Sequence, residues 1–149
     1  MRKILFPVIL MVTVFLQFNL NAQKEPYEMI GKKIKDVIRT YGKPAYHDKS
    51  DPEMECVFYQ TKSYRMVFVS NKTAVYQVEK CTFCGGKKVA CNNFEKLLQR
   101  CKDNGFAADS LDTYEYNLVG DNVRLNIKVY ENTVTNKFEV QMKASEREG

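Results

Sequence analysis

The stretch Ile30-Gly31-Lys32-Lys33-Ile34-Lys35-Asp36-Val37-Ile38-Arg39-Thr40-Tyr41-Gly42-Lys43-Pro44 decides how this chain is read. Its apolar residues Ile30, Ile34, Val37, Ile38 and Tyr41 recur at helical spacing and form one stripe, with Lys32, Lys33, Lys35, Asp36 and Arg39 mostly on the other side. The pattern predicts a helix from Glu28 to Tyr41. Gly42 supplies its C-terminal stop, and Pro44 prevents it from resuming. The same stripe returns sixty residues later as Ala90, Phe94, Leu97, Leu98 and Cys101, in a second helix predicted over Ala90–Asn104 and closed by Gly105.

Each helix is followed by strand-like segments with turn-like connectors. After a polar loop from Ala45 to Glu53, the first set is Met54–Gln60, Tyr64–Ser70 and Ala74–Lys80, joined by Thr61-Lys62-Ser63 and Asn71-Lys72-Thr73. The second set is Thr113–Val119, Asn122–Glu131 and Asn136–Lys143. Short hairpins imply antiparallel pairing. A helix with one apolar stripe and a meander with one apolar face bury those surfaces against each other. The expected fold is therefore α+β: a two-layer sandwich with one antiparallel sheet of about six strands and two helices on one face. It is built from two copies of a helix plus three-strand meander, about 28–80 and 90–144, joined by a cysteine-rich connector at 81–89.

Alternation in the second half is clean. Tyr114, Tyr116, Leu118, Val123, Leu125, Ile127, Val129, Phe138, Val140 and Met142 face inward, and the intervening Glu115, Asn117, Arg124, Asn126, Lys128, Glu139, Gln141 and Lys143 face water. In the first half both faces are partly apolar. Met54, Cys56, Phe58, Tyr64, Met66, Phe68, Ala74, Tyr76 and Val78 make one apolar face, assigned inward. Val57, Tyr59, Val67, Val69 and Val75 share the outer face with Glu55, Arg65, Gln77 and Glu79. These five are the candidate protein-binding residues, since contiguous exposed apolar area marks contact. The alternative is that the loop at 45–53 covers them.

Residues 1–22 read as a cleaved secretory signal peptide: Arg2 and Lys3, an apolar run from Ile4 to Leu16, and a polar exit ending at Ala22. Gln17, Asn19 and Asn21 interrupt the run short of a transmembrane length of about 20 residues. Cleavage there places the remaining domain, 23–149, outside the cytoplasm, secreted or periplasmic. Without Arg2 and Lys3 the chain holds 21 basic against 18 acidic residues. The basic residues are scattered with no run that would track phosphates, which argues against nucleic acid. A protein partner is expected, and no cofactor or metal.

Five cysteines follow the leader, three of them in Cys81-Thr82-Phe83-Cys84-Gly85-Gly86-Lys87-Lys88-Val89-Ala90-Cys91. Export favours disulfides, with Cys81, Cys84 and Cys91 as candidates and Cys81 or Cys84 bonded to Cys91 to staple the joint. The alternative function is thiol–disulfide exchange or metal binding by the same three residues, with Cys101 a further zinc ligand by count. The single histidine, His47, lies near Asp48, Asp51 and Glu53, with no nucleophile placed beside it.

The pattern across Ile30–Pro44, a glycine at the start of the helix, a valine at its middle and Gly-x-Pro closing it, resembles the small envelope proteins of the SmpA/OmlA type. Their helix and meander are similar to each half of the beta-lactamase inhibitory protein. The resemblance covers Ile30 to about Lys80, the second half resembling a diverged copy, and it implies a two-layer domain that binds another protein. The second copy lacks Gly-x-Pro, and no partner-contacting residue of that family matches a position here.

Overall fold

The computed structural model describes residues 24–147, so the expected leader lies outside the described residues. A 3₁₀ turn, Pro26–Met29, buries Tyr27 and Met29. Gly31 follows at φ +79°, a backbone that suits glycine alone. It brings the chain alongside Val75: Gly31 N donates to Val75 O and Val75 N donates to Lys32 O, both at 2.8 Å. The predicted helix at Glu28–Tyr41 is therefore two pieces, this turn and α1 (Ile34–Tyr41). Gly42, at φ +82°, ends α1, and its carbonyl accepts from Tyr59 Oη at 2.9 Å.

Eight strands, not six, then form one antiparallel sheet. They are β1 (Tyr46–Asp51), β2 (Met54–Gln60), β3 (Tyr64–Ser70), β4 (Val75–Cys84), β5 (Ala107–Asp112), β6 (Glu115–Val119), β7 (Val123–Asn132) and β8 (Lys137–Glu146), with α2 (Lys87–Asp103) between β4 and β5. The order across the sheet is β1-β2-β3-β4-β8-β7-β6-β5. Each half is thus a helix followed by a four-stranded meander, and the two meanders meet along β4 and β8, from Gln77 opposite Ser145 to Cys84 opposite Phe138. The two strands added to expectation are the outermost ones. β1 replaces the loop expected at 45–53, and β5 occupies a stretch to which the sequence pattern assigns no strand. Both are rich in polar residues, have weak strand propensity, and carry a register break, at Asp48/Asp51 in β1 and Ser110/Asp112 in β5. The connector expected at 81–89 shrinks to Gly85-Gly86, because β4 runs through Cys84 and α2 begins at Lys87.

Both helices cover the same face. One row across it reads Val57, Phe68, Val78, Ala144, Leu125 and Leu118 from β2 to β6, each residue opposite the next. All six are buried. On α2 the buried residues are Ala90, Phe94, Leu97, Leu98 and Cys101, the stripe expected from the sequence. Burying side chains such as Phe94, Leu97 and Leu98 contributes about 2 kcal/mol each. On the shorter α1, Val37 is fully buried, while Ile34, Ile38 and Tyr41 pack partly covered at its margin. Tyr41 lies 5.3 Å from Phe68 and 5.9 Å from Tyr59, ring centre to ring centre.

Candidate functional site: the open face of the sheet

The face away from the helices is organised by register. One row crosses all eight strands as Tyr46, Phe58, Val67, Glu79, Lys143, Asn126, Asn117 and Asp109. Its neighbour reads Asp48, Cys56, Val69, Gln77, Ser145, Arg124, Val119 and Ala107. The first row is apolar across β1–β3 and polar from β4 onward. Tyr46 is 61% exposed, and its ring sits 5.6 Å from that of Phe58. Cys56 is buried at the edge of this patch, with Phe58, Val67 and Val69 half-buried.

The five residues expected on this face separate. Val67 and Val69 are here. Val57 and Tyr59 point the other way, into the core at 0% and 7% exposure, and Val75 is drawn inward at the irregularity opposite Ser70. Conversely Cys56 and Phe58, expected inside, are outside with Met54. The alternative, that the segment at 45–53 covers this face, is not met: the segment forms an edge strand in the plane of the sheet, and Tyr46 extends the patch.

Between the two halves lies a polar seam whose centre, Cys81, Glu139 and Gln141, is buried. Glu139 is 1% exposed although it faces away from the helices. Its Oε2 accepts from Tyr130 Oη at 2.6 Å and its Oε1 from Asn132 Nδ2 at 2.9 Å. In the next row Cys81, fully buried, accepts from Arg65 Nη2 at 3.6 Å and donates to Glu79 Oε1 at 3.5 Å. Gln141 Nε2 donates to the same Glu79 oxygen at 3.0 Å. Burial pushes the Cys81 thiol up, against the pull of the Arg65 guanidinium, and Glu79 pushes the same way as burial. Burial and the Glu139 carboxyl likewise raise the Tyr130 phenol. No buried side-chain nitrogen or oxygen lacks a partner among the described residues.

Beyond the seam, the second half forms a trough of about 680 Å³ over β5–β8, lined by Ala107, Asp109, Asn117, Val119, Arg124 and Lys143 among others. Asn126 Nδ2 donates to Glu115 Oε1 and Asn117 Oδ1, both at 3.0 Å. The trough's polar members Asn117, Arg124, Asn126 and Lys143 agree with the alternation in the sequence, while Val119 and Ala107 add apolar surface and Glu139 and Gln141, expected in water, are buried.

The cysteines do not gather. All five are free thiols. Cys81 and Cys84 lie on β4 three residues apart and so point to opposite faces of the sheet. Cys81 therefore cannot bond to Cys91 on α2 without crossing the sheet; Cys84 lies on the helix side, but it and Cys91 are free thiols, so neither form of the expected staple is present. Cys84 instead accepts from Asn93 Nδ2 at 3.5 Å. Burial pushes Cys101 up to about 12. Among the described residues, no three His, Cys, Asp or Glu side chains come together to hold a metal ion. His47 sits on β1, its Nε2 2.6 Å from Glu55 Oε1. None of the described helices is long and apolar enough to cross a membrane.

No family profile matches the sequence, and no curated protein does either. A solved structure that shares the fold is that of an extracellular protein containing an SCP domain from Bacillus anthracis str. Ames, at 12% identity and a TM-score of 0.50. The match covers 87% of this chain and 48% of that one, so this chain spans about half its length. At such identity the likeness is one of fold alone. It overturns the resemblance to SmpA/OmlA-type proteins and the beta-lactamase inhibitory protein. The residues that suggested that resemblance have local causes instead: Gly31 meets Val75 at a positive φ, and Gly42 stops a helix.

Proposed function

We propose that this chain is an exported, non-enzymatic module that binds another protein through the first-half part of its open sheet face. The observation that carries this reading is the unbroken apolar row Tyr46, Phe58 and Val67 on three adjacent strands, flanked by Cys56 and Val69, with Tyr46 largely exposed. Aromatic and aliphatic side chains fixed on strands make contact area at low entropic cost, as interface cores do. Export is supported by the leader-like residues 1–22 and by the extracellular description of the structural neighbour. The absence of catalysis is our inference from the thiols: Cys81 and Cys101 are buried, and burial pushes both thiols up, the opposite of the lowered thiol of an exchange-active cysteine. On this reading 23–149 is one domain of two related units.

The test is site-specific photocrosslinking in the producing cells. A photoreactive residue at Val67 should give one discrete protein adduct, and the same residue at Asn117, in the same row of the other half, should give none. Equal adducts at both positions, or none at either, sink the reading.

A further inference from the structure

The helix-covered face holds one residue that its row does not explain. From β2 to β5 that row reads Tyr59, Met66, Lys80, Met142, Ile127, Tyr116 and Ser110. Lys80 is its one charged member, set between two methionines. The next residue of β4 on this face is Thr82, also polar. Placing an ammonium on a core-facing row is costly unless something compensates it.

Above Lys80 the packing is open. A cavity of about 240 Å³ lies between the sheet and α2, lined by Glu25, Lys80, Thr82, Asn93, Lys96 and Arg100 among others. A second, of about 330 Å³, shares Glu25, Lys80 and Arg100 and reaches Tyr41. Asn93, Lys96 and Arg100 follow one another at helical spacing on α2, so the two cations are neighbours on one face, an arrangement that destabilises a helix by a few tenths of a kcal/mol on its own. The one carboxylate in the groove, Glu25, is already paired with Arg100 Nε at 2.9 Å. Lys80 makes no ion pair among the described residues; its Nζ stands 5.5 Å from the centre of the Tyr64 ring. Burial lowers the Lys80 pKa, Glu25 partly restores it, and Arg100 lowers it further. Three cations lining the first cavity, Lys80, Lys96 and Arg100, thus share one committed carboxylate, and Lys24 lines the second.

We propose that this groove binds a small solute bearing an oxyanion, a phosphate, sulfate or carboxylate group. Lys80 contacts it from the floor, Lys96 and the terminal nitrogens of Arg100 from the wall, and the Asn93 amide and Thr82 hydroxyl act as neutral donors. A space of about 240 Å³ is below the range of drug-sized ligand sites, so the ligand is compact. The groove lies on the opposite side of the sheet from the protein-binding patch, and the two readings stand or fall separately.

The test is thermal unfolding of the protein in 50 mM sodium phosphate, sulfate or citrate, against sodium chloride at matched ionic strength. At least one oxyanion should raise Tm by about 3 °C or more over chloride, and the anion with the largest rise identifies the class. Lys80→Met should abolish the rise without lowering the Tm in chloride, because it replaces a half-buried, unpaired ammonium on a core-facing row by an apolar chain of similar volume. Arg100→Gln should reduce it. No rise in the unsubstituted protein, or an equal rise in Lys80→Met, overturns the proposal. Should Lys80→Met fail to fold, amide NMR of the unsubstituted protein decides. Saturable shifts at Thr82, Asn93 and Lys96 on adding the same anion support the site, and their confinement to other residues overturns it.

Discussion

The two halves share a plan and distribute their apolar surface differently. In the second, the seventeen-residue α2 buries five side chains on the sheet, and the opposite face carries Lys143, Asn126, Asn117 and Asp109 in the row that is apolar in the first half, with Val119 and Ala107 beside them. In the first, the eight-residue α1 buries only Val37 completely, and the opposite face carries Tyr46, Phe58, Val67 and Val69. The half with less cover on one side has more apolar surface on the other. A sheet that is apolar on both faces needs two covers. The first half has one of its own, which is the physical basis for expecting the second from a partner.

This contrast breaks most readily at the patch. Val67→Arg with Val69→Arg should weaken partner binding about 30-fold or more, while Asn117→Arg with Asn126→Arg, in the other half, leaves it unchanged; titration of the purified partner measures both. A similar loss from both pairs would mean that the halves do not differ in function. The seam comes next. Glu139→Ala leaves the Tyr130 hydroxyl and the Asn132 amide without their acceptor and should cost about 2 kcal/mol in urea unfolding; a loss well under 1 kcal/mol would show that this buried carboxylate adds little to the stability of the second half.

The covered side of the second half has a pH signature. Cys101 titrates near 12 in the folded chain and near 8.5 when unfolded. Between those values the unfolded chain releases a proton that the folded chain keeps. This stabilisation is whole below about pH 8.5 and is lost at about 1.4 kcal/mol per pH unit as pH rises. Cys101→Ala should flatten the decline between pH 8.5 and 10, and an unchanged slope would place its cause elsewhere. The smallest effect is expected on the wet face, where Asn126→Ala removes hydrogen bonds that water can replace and should cost under about 1 kcal/mol.

Much of this was legible in the residues. The stripe Ala90, Phe94, Leu97, Leu98 and Cys101 is strongly periodic, and the structure buries all of it. The second-half strands alternate without ambiguity, so their faces follow directly. The first half failed at one turn. Reading Thr61-Lys62-Ser63 as a three-residue connector keeps even-numbered residues of β2 and β3 on one face. Instead Thr61 N donates to Tyr64 O at 2.8 Å, only Lys62 and Ser63 turn the chain, and Gln60 faces Arg65. One residue fewer in the loop inverts the phase of β2. Both phases of Met54–Gln60 are apolar, so composition could not correct it. The outer strands β1 and β5 were illegible for another reason: an edge strand is held by one neighbour and needs little apolar surface. The seam and the Lys80 groove depend on cross-strand register and helix placement, which no local pattern encodes.

The register breaks near the tips of those outer strands carry a consequence for crowding. A regular sheet with free edges is a template on which further copies can stack edge to edge into fibres. Here both margins are interrupted, at Asp48/Asp51 and Ser110/Asp112, and each interruption is bordered by acidic side chains. A docking copy would meet a broken ladder and like charge at either end. Such margins disfavour edge-to-edge stacking of copies while leaving the broad open face of the sheet uncovered.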